Sequence, residues 1–246
     1  MAGTEMSRDE CVKFLRDKGS EFVGLDHLAE ALFCFRKSLT LSEEGLGDDA
    51  ILSASIKLVS CLVAKLYLET EKDKRTVMIE EGLMIINQTK NLGRTSVDYD
   101  SVAKMYCALG DSAYIKGDVD LSLKIYTEAL LFLETDPVAD LMSRPVLTKH
   151  HAFMNFAISL CLEHASMYAE AQKHCQTSVA KSGVLLNMKD TAEEIKLLYL
   201  GGLEKMEVLK WKGAVPMPPK LHVVVHPQLS QTFLAKKAAL EAALQQ

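Results

Sequence analysis

The stretch AKMYCALGDSAYIKGDVDLSLKIYTEALLFL, from Ala103 to Leu133, limits the fold of this chain more than any other. It reads as two helices and a tight turn. Gly110 sits midway along the first helix, Gly117-Asp118 breaks it, and the second carries Leu123, Tyr126, Ala129 and Leu130 at helical spacing. The remainder of the chain repeats the theme, and its composition agrees: 6 Pro and 13 Gly in 246 residues, with Leu, Ala, Lys and Glu plentiful, favour helices over sheet.

These positions resemble the tetratricopeptide repeat (TPR). Its signature sets a Leu-Gly pair and an aromatic on the first helix, then a small residue, an aromatic and an Ala-Leu on the second. Here the slots hold Leu109-Gly110, Tyr114, Ser122, Tyr126 and Ala129-Leu130, with the first aromatic one residue late. The resemblance implies an all-α, right-handed α-α superhelix, a TPR-like solenoid whose stacked hairpins leave a concave groove lined by the first helix of each pair.

Four units follow from this frame. Residues 7–41 form the first, opened by the capping-box spacing Ser7-Arg-Asp-Glu10, with Gly19, Phe22, Ala31, Phe35, Ser38 and Leu39 in register. The loop SEEGLGDD leads to a degenerate second unit, 50–92, with helices over 50–69 and 74–92, Gly82 in the small-residue slot and a turn, ETEKDK, longer than usual. The third spans 103–135 and ends near Pro137. The fourth, 145–182, places Asn155, Ser159, Leu162, Tyr168, Ala171, Cys175 and Ser178 in the frame. From Ala31 to Gly82, Ser122 and Ala171 the steps are 51, 40 and 49 residues, whereas the plain repeat takes about 34. Helices or connecting loops are therefore longer than consensus.

A second capping box, Thr191-Ala-Glu-Glu194, opens a helix over 192–210 that caps the solenoid, although Gly201-Gly202 argue against its being unbroken. The repeat domain then covers 1–212. Residues 213–246 add the Pro-containing linker GAVPMPPK, a short extended segment, LHVVVH, and a C-terminal appended helix over 228–245. In that helix Leu229, Phe233, Leu240 and Leu244 fall on one face, shared with Lys236. The linker reaches about 25 Å, enough for the tail to cover the chain's own groove or to project the helix for docking or self-association.

The formal charge of −5 comes with no basic stripe, so nucleic acid is not an expected partner. Six scattered cysteines without a C-x-x-C suggest a reduced, cytoplasmic setting. No apolar run reaching about 18 residues is evident, so membrane insertion is not expected. The acidic start, MAGTEMSRDE, does not suggest secretion.

Phosphate-binding loops, dinucleotide fingerprints, nucleophile elbows and H-E-x-x-H are absent from the sequence. Ser101-Val-Ala-Lys104 matches S-x-x-K, the nucleophile motif of penicillin-binding enzymes, without its companion motifs. Cys161, His164, His174 and Cys175 lie at spacings that invite zinc, but adjacent helical residues point about 100° apart and Cys175 fills a core slot. Neither metal nor cofactor is expected. His150 and His151 read as solvent-facing or capping. An enzyme without a recognised motif would need a pocket of perturbed ionisable groups.

The expected function is a non-catalytic adaptor or scaffold that binds a protein or peptide segment. Its groove should be lined by Lys13, Arg16 and Ser20 in the first unit, Lys104, Cys107 and Asp111 in the third, and Phe153, Phe156 and Leu160 in the fourth. These grade from basic to aromatic along the chain, with Phe153 and Phe156 as anchors unless they pack on a neighbouring helix or on the capping helix. Members of the resembled family that bind chaperone C-termini use a carboxylate clamp. Arg16 suits one, while Cys107 and Asp111 stand where Lys and Arg are needed, so a chaperone cofactor would require an atypical clamp. A structural subunit of a large complex is the other alternative.

Overall fold

The structure, a computed structural model, describes residues 6–92, 95–186 and 193–214. The linker, LHVVVH and helix 228–245 lie outside them, as does Thr191. Among the described residues there are ten helices and no strand. The chain divides into two compact units, residues 1–143 and 144–246.

The first unit holds α1 (Arg8–Gly24), α2 (Leu28–Glu43), α3 (Asp48–Leu68), α4 (Lys72–Thr89), α5 (Ser96–Ile115), α6 (Val119–Leu133) and the short α7 (Asp136–Leu141). Both halves of the Ser7–Glu10 capping box form at the start of α1, and Thr95 with Asp98 does the same for α5. Pro137 lies in the first turn of α7, where its missing N–H costs nothing, so it opens a short helix rather than merely closing the third hairpin. Neighbours pack as α1 on α2, α2 on α3, α3 on α4, α4 on α5 and α5 on α6, and α3 also touches both α1 and α5. The first helices α1, α3 and α5 thus form one layer and α2, α4 and α6 another.

The second unit holds α8 (Arg144–His164), α9 (Tyr168–Leu186) and α10 (Glu193–Ala214), each packed on the other two.

Every hairpin turn has three residues: 25–27, 69–71, 116–118 and 165–167. In three of them the middle residue takes a positive φ, Asp26 and Ser166 at 61° and Gly117 at 79°. The N–H of the third residue then reaches back five places to a carbonyl, His27 to Phe22, Asp118 to Ala113 and Met167 to Leu162, at 2.8–2.9 Å. The turn of the second hairpin is expected from ETEKDK to be long. It is short because the Glu69 carboxylate accepts the N–H groups of Thr70 and Glu71, and α4 starts at Lys72. Extra repeat length therefore sits largely in the first helices, which run 21, 20 and 21 residues in α3, α5 and α8.

Equal turns fix the register. The residue four beyond the turn donates to the turn's last carbonyl: Ala31 to His27, Arg75 to Glu71, Ser122 to Asp118 and Ala171 to Met167. So Arg75, not Gly82, stands level with Ala31, Ser122 and Ala171, and the steps become 44, 47 and 49 residues. Gly82 instead shares a slot with Ser38, Ala129 and Ser178, one further along the second helix. Arg75 fits a small-residue position by turning outward along the edge. Its guanidinium donates to the Thr70 carbonyl and pairs with Asp118 at 2.9 Å, tying α4 to the next hairpin's turn.

Within hairpins, one contact recurs. A Cβ on Gly19 would lie 2.6 Å from the Phe35 ring, and one on Gly110 would lie 2.7 Å from the Tyr126 ring. Where the first helix lacks a side chain, the second fills the space with an aromatic. The same pair of slots in the second unit holds Ser159 and Cys175, both small, and α10 completes the packing: the Cys175 thiol lies 3.2 Å from the Gly202 carbonyl. The Gly201-Gly202 pair does not break α10, because Gly202 is where the helix comes close, its would-be Cβ 2.6 Å from Val179. Packing on α9 outweighs the roughly 1 kcal/mol per glycine of helix propensity.

Helix α3 corrects another expectation: it is long and apolar enough to cross a membrane by length and composition. Half of that window is buried in the first unit, with Leu52, Leu58, Val59, Leu62 and Leu66 at most 4% exposed, as suits a core helix packed on four neighbours.

Candidate partner-binding face

Once the register is set, the solvent-facing stripes of α1, α3 and α5 superimpose. Each runs at i, i+3, i+7 and i+10, the spacing that keeps side chains on one side of a helix. In α1 the stripe is Lys13, Arg16, Ser20 and Val23; in α3 it is Lys57, Ser60, Ala64 and Tyr67; in α5 it is Lys104, Cys107, Asp111 and Tyr114. All twelve residues are exposed or half-buried. The slot beyond adds Leu68, 63% exposed, and Ile115, 64% exposed.

Of the expected groove residues, Lys13 and Ser20 are exposed, and the Ser20 hydroxyl donates to its own helix at the Arg16 carbonyl. Arg16 is half-buried and spans to the next hairpin, donating to Ser53 Oγ at 2.9 Å. Lys104 is exposed and paired with Asp100 at 2.6 Å. Cys107 is half-buried. Asp111 turns into its own hairpin, where it accepts the Tyr126 hydroxyl; burial raises its pKa above the usual carboxylate value against the opposing pull of that hydrogen bond.

Lys57, Tyr67 and Leu68 were missed. Placing Gly82 level with Ala31 shifts the register of the whole second hairpin. A three-residue turn at 69–71 would have revealed them. Leu68 lines an open pocket of about 410 Å³ together with Lys65, Glu69 and the 26–30 segment at the start of α2. Lys116 Nζ donates to the Tyr67 carbonyl at 2.6 Å. The turn-side ends of the first three hairpins are therefore contiguous.

In the second unit Phe153, Phe156 and Leu160 are half-buried along α8. Phe156 packs beside α10: a Cβ on Gly201 would lie 3.6 Å from its ring. His150 and His151, expected to face solvent or to cap, are respectively buried and half-buried along α8. His150 is 6% exposed, and His151 is held to a pKa of about 4 by burial, then by Lys181 and His150. The His174 ring donates from Nδ1 to Asn155 Oδ1 at 2.9 Å, and burial lowers its pKa. Cys175 is buried, its thiol pushed up to about 11 mainly by desolvation. Among the described residues no three His, Cys, Asp or Glu side chains converge as metal ligands.

No family model matches the chain, and no curated protein matches it. Solved structures do. A Podosopora anserina protein described as a putative kinesin light chain with nearly identical TPR-like repeats superposes with a TM-score of 0.50 at 10% identity, covering 96% of this chain and 97% of that one. A variant of that protein gives the same TM-score and identity, over 95% of this chain and 96% of the other. At that identity the likeness is one of fold: this chain is an all-α, TPR-like repeat protein.

Proposed function

We propose that the protein is a non-catalytic adaptor that takes a segment of another protein on the face formed by its first helices. The observation that carries this reading is the threefold recurrence of one solvent-facing stripe on α1, α3 and α5. Burial of core positions does not require Lys13, Lys57 and Lys104 to share a slot, nor Val23, Tyr67 and Tyr114. A TPR-like fold also offers such a surface in general. The carboxylate-clamp alternative is less supported, because Arg16 and Asp111 are engaged with Ser53 and Tyr126.

The test is affinity purification of the full chain from its native cell, compared with a chain lacking 213–246 and with a Tyr67→Ser/Leu68→Ser variant. Partners lost with the two surface substitutions place recognition on this face. Partners lost only with the tail transfer it to residues 213–246, and partners unaffected by either change refute the reading.

A further inference from the structure

Resting on the adaptor reading, we propose that the segment held by the first unit is an amphipathic helix lying across α1, α3 and α5, with acidic side chains on one flank and apolar side chains on the other. The face is polarised along each of its helices. At the early end stand Lys13, Lys57 and Lys104, all exposed. At the late end stand Val23, Tyr67, Leu68 and Ile115, between 40% and 64% exposed. Leu25, 59% exposed, extends this apolar edge at the first turn. The polarity therefore runs across the face, repeated three times, whereas the sequence alone suggested a gradient along the chain.

Between the two edges lie Arg16 and Ser20 on α1, Ser60 and Ala64 on α3, and Cys107 and Asp111 on α5, and the two charged groups among them are held inside the unit, Arg16 donating to Ser53 Oγ and Asp111 accepting the Tyr126 hydroxyl. Ser20 and Ser60 donate to carbonyls of their own helices, at Arg16 and Ile56, and Ala64 stands level with Ser20. Ten residues of α-helix separate a lysine from its apolar counterpart, about 15 Å at 1.5 Å per residue. A helix with its side chains is about 10–12 Å wide and fits that span. Directly packed helices lie about 8–10 Å apart in general, close to the roughly 10.5 Å between side chains seven apart on a bound helix, so one flank can meet successive lysines. The Lys104–Asp100 pair is exposed on the lysine's side, and exchanging such a pair for a partner carboxylate costs little.

The experiment selects a displayed library of random 20-residue peptides on the full chain. The enriched peptides are then measured on a Lys13→Glu/Lys57→Glu/Lys104→Glu variant and on Tyr67→Ser/Leu68→Ser, with circular dichroism to establish that helix content is kept. Expected are peptides with Asp or Glu opposite Leu, Ile or Phe at helical spacing, weakened about tenfold by either set. Charge reversal should also let variants of those peptides with Lys in place of Glu bind. If the peptides need Tyr67 and Leu68 but ignore charge reversal, or alternate with a period of two, the amphipathic-helix proposal fails while the adaptor reading stands. If they ignore both sets, both fail.

Discussion

At the scale of single residues, the glycines differ in what a methyl group would meet. A Cβ on Gly110 would meet the Tyr126 ring at three atoms within 2.7–3.0 Å, and that ring is 1% exposed with its hydroxyl held by Asp111, so it cannot swing away. Gly110→Ala is expected to destabilise the protein by about 1–3 kcal/mol, the helix-propensity gain of roughly 1 kcal/mol being outweighed. A Cβ on Gly82 would meet the two methyl ends of Leu109 at 3.0 and 3.1 Å, so that side chain need give by only a few tenths of an ångström. Gly82→Ala should lie within about 1 kcal/mol of neutral, with the propensity gain offsetting the squeeze. Urea midpoints of the two variants check the contrast. The Arg75–Asp118 pair gives a second comparison at this scale, with side chains 11% and 3% exposed. Asp118→Asn leaves a guanidinium facing a neutral amide and should lower the urea midpoint. Adding Arg75→Ala restores the small residue found level with it in the first and fourth hairpins, so the double variant should recover part of the loss.

At the scale of elements, starts and turns were readable wherever the signal is local. Ser7 and Glu10 cap α1 because a hydroxyl and a carboxylate three apart satisfy each other's N–H groups, and Gly117 turns because positive φ suits it. What failed depended on contacts across helices. Each hairpin has more than one slot for a small residue, and nothing local says which one Gly82 fills; Arg75 in the other slot looks unsuitable until Asp118 is seen beside it. Likewise His150 resembles a surface residue until packing buries it, and Asp111 resembles a free anion until Tyr126 reaches it. Two of the three lysines in the row, Lys13 and Lys104, are legible in the sequence, and Lys57 is hidden by the register of the second hairpin. Helix α10 was legible as a cap, but not what fastens it. Glu163 on α8 accepts Lys205 and Lys212, both at 2.6 Å, and Lys212 also lies 5.8 Å from the Tyr168 ring centre. Glu163→Gln should loosen α10 by about 1–2 kcal/mol, the worth of charge-assisted hydrogen bonds discounted for solvent access. Hydrogen exchange should then quicken in α10 and the facing part of α9 while α1–α6 keep native protection; uniform acceleration throughout the chain would contradict this assignment.

At the scale of the whole molecule, acid should act unequally on the two units. In residues 144–246, His151 and His174 have folded pKa values below the ordinary histidine value, His151 at about 4, because burial disfavours the imidazolium. Between about pH 6.5 and 4 the unfolded chain therefore binds more protons than the folded one, and stability falls as pH drops through that window. Glu163 adds to the loss lower down. Burial raises its pKa, but the hydrogen bonds and charges of Lys205 and Lys212 outweigh that and leave it lowered, so its contribution is present above the unfolded carboxylate value and lost as pH falls through the folded one. The first unit contains a half-buried carboxyl of the opposite sign. Asp111 has a raised folded pKa, so its stabilisation is complete below the unfolded value and is lost as pH rises through the folded one. Hydrogen exchange at pH 7 and pH 5, corrected for intrinsic rates, should show α8–α10 losing protection while α1–α6 change little. His151→Gln should flatten the fall in the second unit's stability between pH 6.5 and 5. If the two units lose protection in parallel in the native chain and in this variant, these buried groups do not set its acid response.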